Sequence, residues 1–102
     1  MNLNHTINEE TKCLTITLEG KIDSNNAAQT EAAIMELRQQ YNDADIIFDA
    51  TKLEYISSAG LRVLLSTQKK MQQIGTMKVI NVSEEVFEVF EITGFADILV
   101  IE

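Results

Sequence analysis

Residues 13–19, CLTITLE, alternate: Leu14, Ile16 and Leu18 fall on one side, Thr15, Thr17 and Glu19 on the other. That period of two predicts a strand with one buried face. A more polar edge strand is expected before it, over about residues 3–8, with Asn8, Glu9 and Glu10 near the connecting turn. The period then changes. Ser24, Asn25 and Asn26 are helix-capping types, and Ala27, Ile34, Leu37 and Tyr41 follow at multiples of three to four, which predicts a helix over about 26–41. ADIIFDA, residues 44–50, is a compact apolar run with acidic ends and reads as a central strand covered on both faces. After a loop, TKLEYISSAG, a second helix is expected, with Leu61, Leu64, Leu65 and Met71 inward, running to about Ile74 and stopped by Gly75. MKVINV, residues 77–82, predicts a strand. Ser83 caps a short third helix with Glu84 and Glu85 in its first turn, Val86 and Phe90 inward, and Gly94 at its end. ILVIE closes the chain as a short strand.

The order is β-β-α-β-α-β-α-β. Strands joined through helices pair in parallel by right-handed crossovers, so an α/β fold with a mostly parallel sheet and one antiparallel edge is expected. Functional loops of such sheets lie beyond the carboxyl ends of the strands. Two stretches qualify: GKIDSNN and TKLEYISSAG.

Composition narrows the class. A length of 102 residues suggests a single domain over 1–102, and 45% hydrophobic residues suit a globular core. No apolar run approaches the roughly 20 residues of a membrane-spanning helix. The amino-terminal stretch lacks a basic region followed by an apolar one, so no secretory signal is expected. The one cysteine, Cys13, has no partner for an internal disulfide. These features point to the cytoplasm. A formal net charge of −8 repels nucleic-acid phosphates, and neither nucleic acid nor membrane is expected as a partner. The charge keeps a small protein soluble and can steer it toward a basic partner.

Catalytic material is sparse. The only histidine, His5, falls in the expected edge strand, so no Ser-His-Asp set can be assembled. Metal ligands are equally scarce, and the glycine-rich phosphate loops are absent. Asp49 ends a central strand as a phospho-accepting aspartate would, without the acidic cluster that such a site needs. No enzyme activity, cofactor or metal is therefore expected. What remains is Ser57-Ser58-Ala59-Gly60 at a helix start. Serine is a leading cap residue. A serine there can also carry a phosphoryl group, which the unpaired amides of the first turn and the helix dipole would favour. Local chemistry leaves both readings open.

YISSAGLRVLL resembles the signature of STAS domains, the family of anti-sigma factor antagonists and of the cytoplasmic domain of sulfate transporters. The resemblance extends over LTITLEGKID, IIFDATKLEYISSAGLRVLL, KVINVSEEVFEVFEITGF and ILVIE. It implies a central sheet with helices packed largely on one side. It also implies partner switching: the unphosphorylated protein binds an anti-sigma factor that is itself a serine kinase, a sigma factor is released, phosphorylation breaks the complex, and a serine phosphatase resets it. By position, the phosphorylated serine is Ser58 rather than Ser57. Many members of the family have aspartate where Ser57 stands, serine or threonine at Ala59, and glycine where Arg62 stands. Asp23, in the GKID turn, matches a residue often near the partner-facing surface. The partner surface so implied comprises Asp23, Ser57, Ser58, Ala59, Gly60 and Arg62, with Ala59 and Gly60 leaving room for the kinase and Arg62 projecting beside the serine. Two other readings stand beside this one: a scaffold or regulatory subunit of a larger signalling complex, and a small nucleotide-binding domain.

Overall fold

The computed structural model describes residues 3–102. Its elements are β1 (His5–Asn8), β2 (Cys13–Ile22), α1 (Ala27–Gln40), β3 (Asp45–Ile56), α2 (Ser58–Met71), β4 (Met77–Ile80) and α3 (Glu84–Ile92), followed by a single 3-10 turn, Phe95–Asp97. The sheet order is β1-β2-β3-β4. β1 runs antiparallel to β2, while β2–β3 and β3–β4 are parallel. The expected mixed sheet is therefore present, and the expected element order holds through α3.

The core forms a single cluster on one face of the sheet. Leu14, Ile16 and Leu18 of β2, Ile46, Phe48 and Ala50 of β3, and Met77 and Val79 of β4 meet Ile34 and Leu37 of α1, Leu61 and Leu64 of α2, and Val86 and Phe90 of α3. The alternation of β2 places its apolar set there, as period two requires. β3 differs from the expectation for its run. It lies inside the sheet, yet only one face is covered: Asp45, Ile47 and Asp49 stay part-exposed. The helices lie on one side, and the acidic residues of the run mark its open face.

The second difference matters more for the site. TKLEYI, expected as loop, continues β3 to Ile56, and GKI continues β2 to Ile22. The pairing slips twice, between Thr17 and Glu19 and between Gly20 and Lys21, and each slip gives β3 one extra residue. Gly20 has φ 67, a conformation that suits a residue without Cβ. Because of the slips, burial along β3 changes from every second residue to Leu53 and Ile56. Plain alternation therefore breaks at Ala50, although the strand does not.

Smaller corrections come from packing. α2 ends at Met71, with Gln72 as its C-cap, short of Ile74 and Gly75. Leu65 is half-buried, and Val63 and Thr67 complete the inner face. α3 ends as expected, with Gly94 at φ 81. The closing ILVIE is no full strand. It makes one parallel bridge, Val79 to Ile101, supported by backbone bonds from the Val79 amide to the Val100 carbonyl and from the Glu102 amide to the Val79 carbonyl. Among the described residues, no helix is long and apolar enough to cross a membrane.

Candidate functional site

The extension of β2 and β3 brings the two expected loops together. Ile22 pairs with Ile56 in parallel register, and the Ser57 amide donates to the Ile22 carbonyl at 2.8 Å. The turn that begins at Asp23 is thus fastened beside the start of α2. Asp23, Ser57, Ser58, Ala59 and Gly60 share one end of the sheet, at the carboxyl ends of β2 and β3.

The turn is built by side chains acting on backbone. Asp23 Oδ1 accepts the Asn25 amide at 2.9 Å, and the Asp23 carbonyl accepts the amides of Asn26 and Ala27. Asn26, a capping type by sequence, occupies the cap position of α1, but its side chain makes no cap bond. Its amide group folds back, accepting the Asp23 amide at 2.9 Å and donating to the Lys21 carbonyl at 2.8 Å. Asn26 therefore fixes the exit from β2. Asx turns of this kind are common for Asn and Asp, which is the signal the sequence holds. Asp23 serves this turn and remains part-exposed.

The two serines differ. Ser57 is the N-cap of α2, extended at φ −89 and ψ 173, and its Oγ accepts the Gly60 amide at 3.3 Å. Ser58 is the first helical residue, and its side chain is exposed. The cap and the exposed hydroxyl are separate residues, so the two readings of the sequence need not compete. The first amides of a helix have no intrahelical acceptor, and α2 has no acidic residue in its first turn. That first turn therefore carries no negative charge of its own to answer the positive end of the dipole.

Gly60 packs inward. It is buried, and a Cβ there would lie 2.7 Å from Ile56 Cγ1, 2.8 Å from Ile22 Cγ2 and 3.2 Å from the Ile22 carbonyl oxygen. Its small size lets α2 approach the sheet. Ala59 is part-exposed, and Arg62 projects into solvent one turn beyond Ser58, as expected.

Tyr55 lies outside the set that the sequence predicts. It pairs across from Lys21 near this end of the sheet and is 47% exposed, one of several large side chains that reach solvent. The aromatic in EYISS is the available signal. Asp49 lies elsewhere. Its carboxylate accepts the Thr51 hydroxyl at 2.6 Å, the Thr51 amide at 3.0 Å and the Asn81 side-chain amide at 3.1 Å. These donors, the Thr51 hydroxyl foremost, hold its carboxyl below the ordinary value. They tie the strand to the residues ahead of α3. Among the described residues, no group of three or more metal-ligating side chains gathers.

Comparison with known proteins gives this geometry a family. A model described as the STAS domain matches residues 4–102. The chain is 42% identical over 84 residues to BtrV of Bordetella bronchiseptica, covering 79% of this chain and 70% of that protein. It is 30% identical over 100 residues to the anti-sigma-B factor antagonist of Bacillus subtilis, covering 97% of this chain and 90% of that one. The unphosphorylated form of the anti-sigma factor antagonist SpoIIAA superposes with a TM-score of 0.78 at 21% identity, over 98% of this chain and 87% of that chain. The phosphorylated form of SpoIIAA, from Bacillus, gives 0.70 at 20% identity, over 98% and 90%. At such identity the likeness to SpoIIAA is one of fold.

Proposed function

The chain belongs to the STAS domain family, and on that premise we propose that it is an anti-sigma factor antagonist switched by phosphorylation of Ser58. In the unphosphorylated state it binds an anti-sigma factor with serine kinase activity and so frees a sigma factor. The kinase then modifies Ser58, the complex dissociates, and a serine phosphatase restores the binding form. The chain works in the cytoplasm as a binding switch and catalyses nothing itself.

The observation that carries this reading is the division of labour between the serines. Ser57 holds the helix end, which leaves the Ser58 hydroxyl exposed for a kinase at no cost to the cap. A phosphoryl group there adds about −1.5 to −2 charges beside the open amides of the first turn, so the fold accepts it. A neutral, small surface becomes bulky and anionic at the point where a partner would rest. Asp23, at the same end of the sheet, and Ala59 and Arg62, on the same helix, would supply the rest of the contact.

Phosphopeptide mapping after incubation with the cognate anti-sigma kinase tests the assignment. The expected product carries phosphate on Ser58. Modification confined to Ser57 or Thr51 would defeat it, and failure of any anti-sigma kinase to bind the chain would remove the antagonist reading altogether.

A further inference from the structure

The outer face of α2 carries a charge out of keeping with the rest of the molecule. The protein has 16 acidic and 8 basic residues, net −8. Of the five cations outside α2, three pair with carboxylates, Lys12 with Asp43, Lys52 with Glu19, and Lys78 with Glu102, while Lys21 and Arg38 make no ion pair among the described residues. α2 holds Arg62, Lys69 and Lys70 and no acidic residue, a local charge of +3. All three are exposed, and none makes an ion pair among the described residues. The other two helices do carry acids, Glu31 and Glu36 on α1 and four glutamates on α3.

These cations form a strip that begins at the switch. Ser58, Arg62, Ser66 and Lys69 succeed one another at spacings of four, four and three, so they share one helix face. At a rise of 1.5 Å per residue, Ser58 and Lys69 are about 16 Å apart along the axis. Beyond Arg62 the strip widens into a shallow depression of about 520 Å³ between Arg62, Leu65, Ser66, Lys69, Lys70 and Gln73. The half-buried Leu65 gives it an apolar floor beside the cations. A partner seated on Ser58 with an interface of ordinary size, roughly 800 Å² on each side, would reach along this helix.

We infer that the Arg62–Lys69–Lys70 strip of α2 receives a carboxylate-rich segment of the anti-sigma partner and steers its approach to Ser58. This rests on the antagonist reading above. Charge complementarity selects the occupant: a surface of +3 within a field of −8 is the place where an acidic protein meets least repulsion. Nucleic acid and an anionic lipid surface extend their charge past the strip and meet the acidic remainder of the molecule, whereas a short acidic segment fits within it. The strip also joins the switch to the encounter. A phosphoryl group on Ser58, of about −1.5 to −2, lowers the local charge from +3 to about +1 to +1.5 and weakens the attraction along with the contact.

The test measures association of the anti-sigma kinase that phosphorylates the chain, by stopped-flow over a range of salt, for the wild type and for Lys69→Glu/Lys70→Glu. The neutral Lys69→Gln/Lys70→Gln pair serves as the milder variant, with circular dichroism to check folding. The expected result is association slowed about tenfold or more at low salt for the glutamate pair and less for the glutamine pair, the rates converging at high salt while dissociation changes little. A kinase that binds all three forms at the same rate, with the same salt dependence, overturns the strip and leaves the antagonist reading standing. If no anti-sigma kinase binds the wild type, that reading falls, and the strip is judged on a fluorescein-labelled deca-glutamate peptide. Salt-sensitive binding lost in the glutamate pair then supports it, and no such binding overturns it. Sedimentation with phosphatidylserine vesicles, abolished by the same substitutions, would overturn the protein occupant in favour of a membrane.

Discussion

α2 and α3 each come after a parallel strand, and each begins on a serine in extended conformation. Ser57 Oγ accepts the Gly60 amide at 3.3 Å, and Ser83 Oγ accepts the Val86 amide at 3.2 Å. From there the two starts diverge. The first turn of α3 carries Glu84 and Glu85, which answer the positive end of its dipole. The first turn of α2 carries Ser58, Ala59 and Gly60 and no acid. Three residues after each cap, α3 buries Val86, whereas α2 admits only glycine because it lies against Ile22 and Ile56. One start is complete as translated. The other is held close to the sheet, electrostatically open, with a free hydroxyl at its edge. Equal caps thus do not make equal sites. The first-turn residues beyond the cap decide whether a helix end is finished or can still take a charge.

The largest effect expected from this contrast is on binding. Ser58→Asp should keep the fold, since aspartate suits a helix start, and should weaken the anti-sigma partner by about 2–5 kcal/mol, on the order of thirtyfold to several-thousandfold. Glu84→Gln at the other start should leave the affinity unchanged. Titration calorimetry with a dichroism control checks both, and equal effects at the two starts would dissolve the contrast.

Packing comes next. Gly60→Ala places a methyl group against Ile22 and Ile56 and should cost about 1–3 kcal/mol of stability. The contacting side-chain atoms can give a little, but the Ile22 carbonyl cannot. Thermal melts should show a fall of roughly 4–8 °C per kcal/mol. A melt within error of the wild type would mean that α2 has slack against the sheet.

The caps themselves should behave alike. Ser57→Ala and Ser83→Ala should each cost about 1 kcal/mol, whereas Ser58→Ala, which removes no cap bond, should stay within about 0.5 kcal/mol. Urea titrations of the three variants separate the outcomes. A cost at Ser58 equal to that at Ser57 would assign the capping to both.

Filling the open end should help slightly. Ala59→Glu puts an acid into the first turn of α2 and should stabilise by about 0.3–1 kcal/mol at low salt, and Glu85→Gln in α3 should lose a similar amount. Both changes should shrink as salt is added. A stabilisation that salt does not touch would not come from the dipole.

The smallest effect concerns the approach to α3. The hydrogen bonds from Thr51 and Asn81 hold the Asp49 carboxyl below its ordinary value of 3.8. A lowered folded-state pKa means stability that is present above the unfolded value and lost as pH falls through the folded one. Asp49→Asn should therefore flatten the acid limb of stability against pH below 3.8 and leave partner binding through α2 intact. An unchanged acid limb would place the titrating group elsewhere.

Much of this is legible in the chain. The alternation in CLTITLE places one face of β2 in the core, because side chains in a strand repeat every two residues whatever surrounds them. The serine before Glu84-Glu85 marks the start of α3, since capping and dipole effects act within one turn. YISSAGLRVLL locates the candidate switch, and Leu61 and Leu64 fall on the buried face as helical spacing requires. These are local constraints, each contained in a few neighbouring residues.

Tertiary structure decided the rest. TKLEYI carries no clean alternation, because two slips of register against β2 set its burial, and those slips exist only once the two strands pair. The same pairing seats Asp23 beside Ser57, joining segments that lie more than thirty residues apart in sequence. Asn26 has the character of a cap and serves as the brace of the β2 exit, since which backbone group an amide side chain reaches depends on where the preceding strand ends. Gly60 reads in the sequence as clearance for a partner, and the structure adds a demand that the sequence does not show, clearance for the sheet, a matter of the distance between α2 and Ile22. Side-chain type and spacing thus specify elements and caps. Register and interlayer distance are properties of pairs of elements, and they determine which face of a small residue is the crowded one.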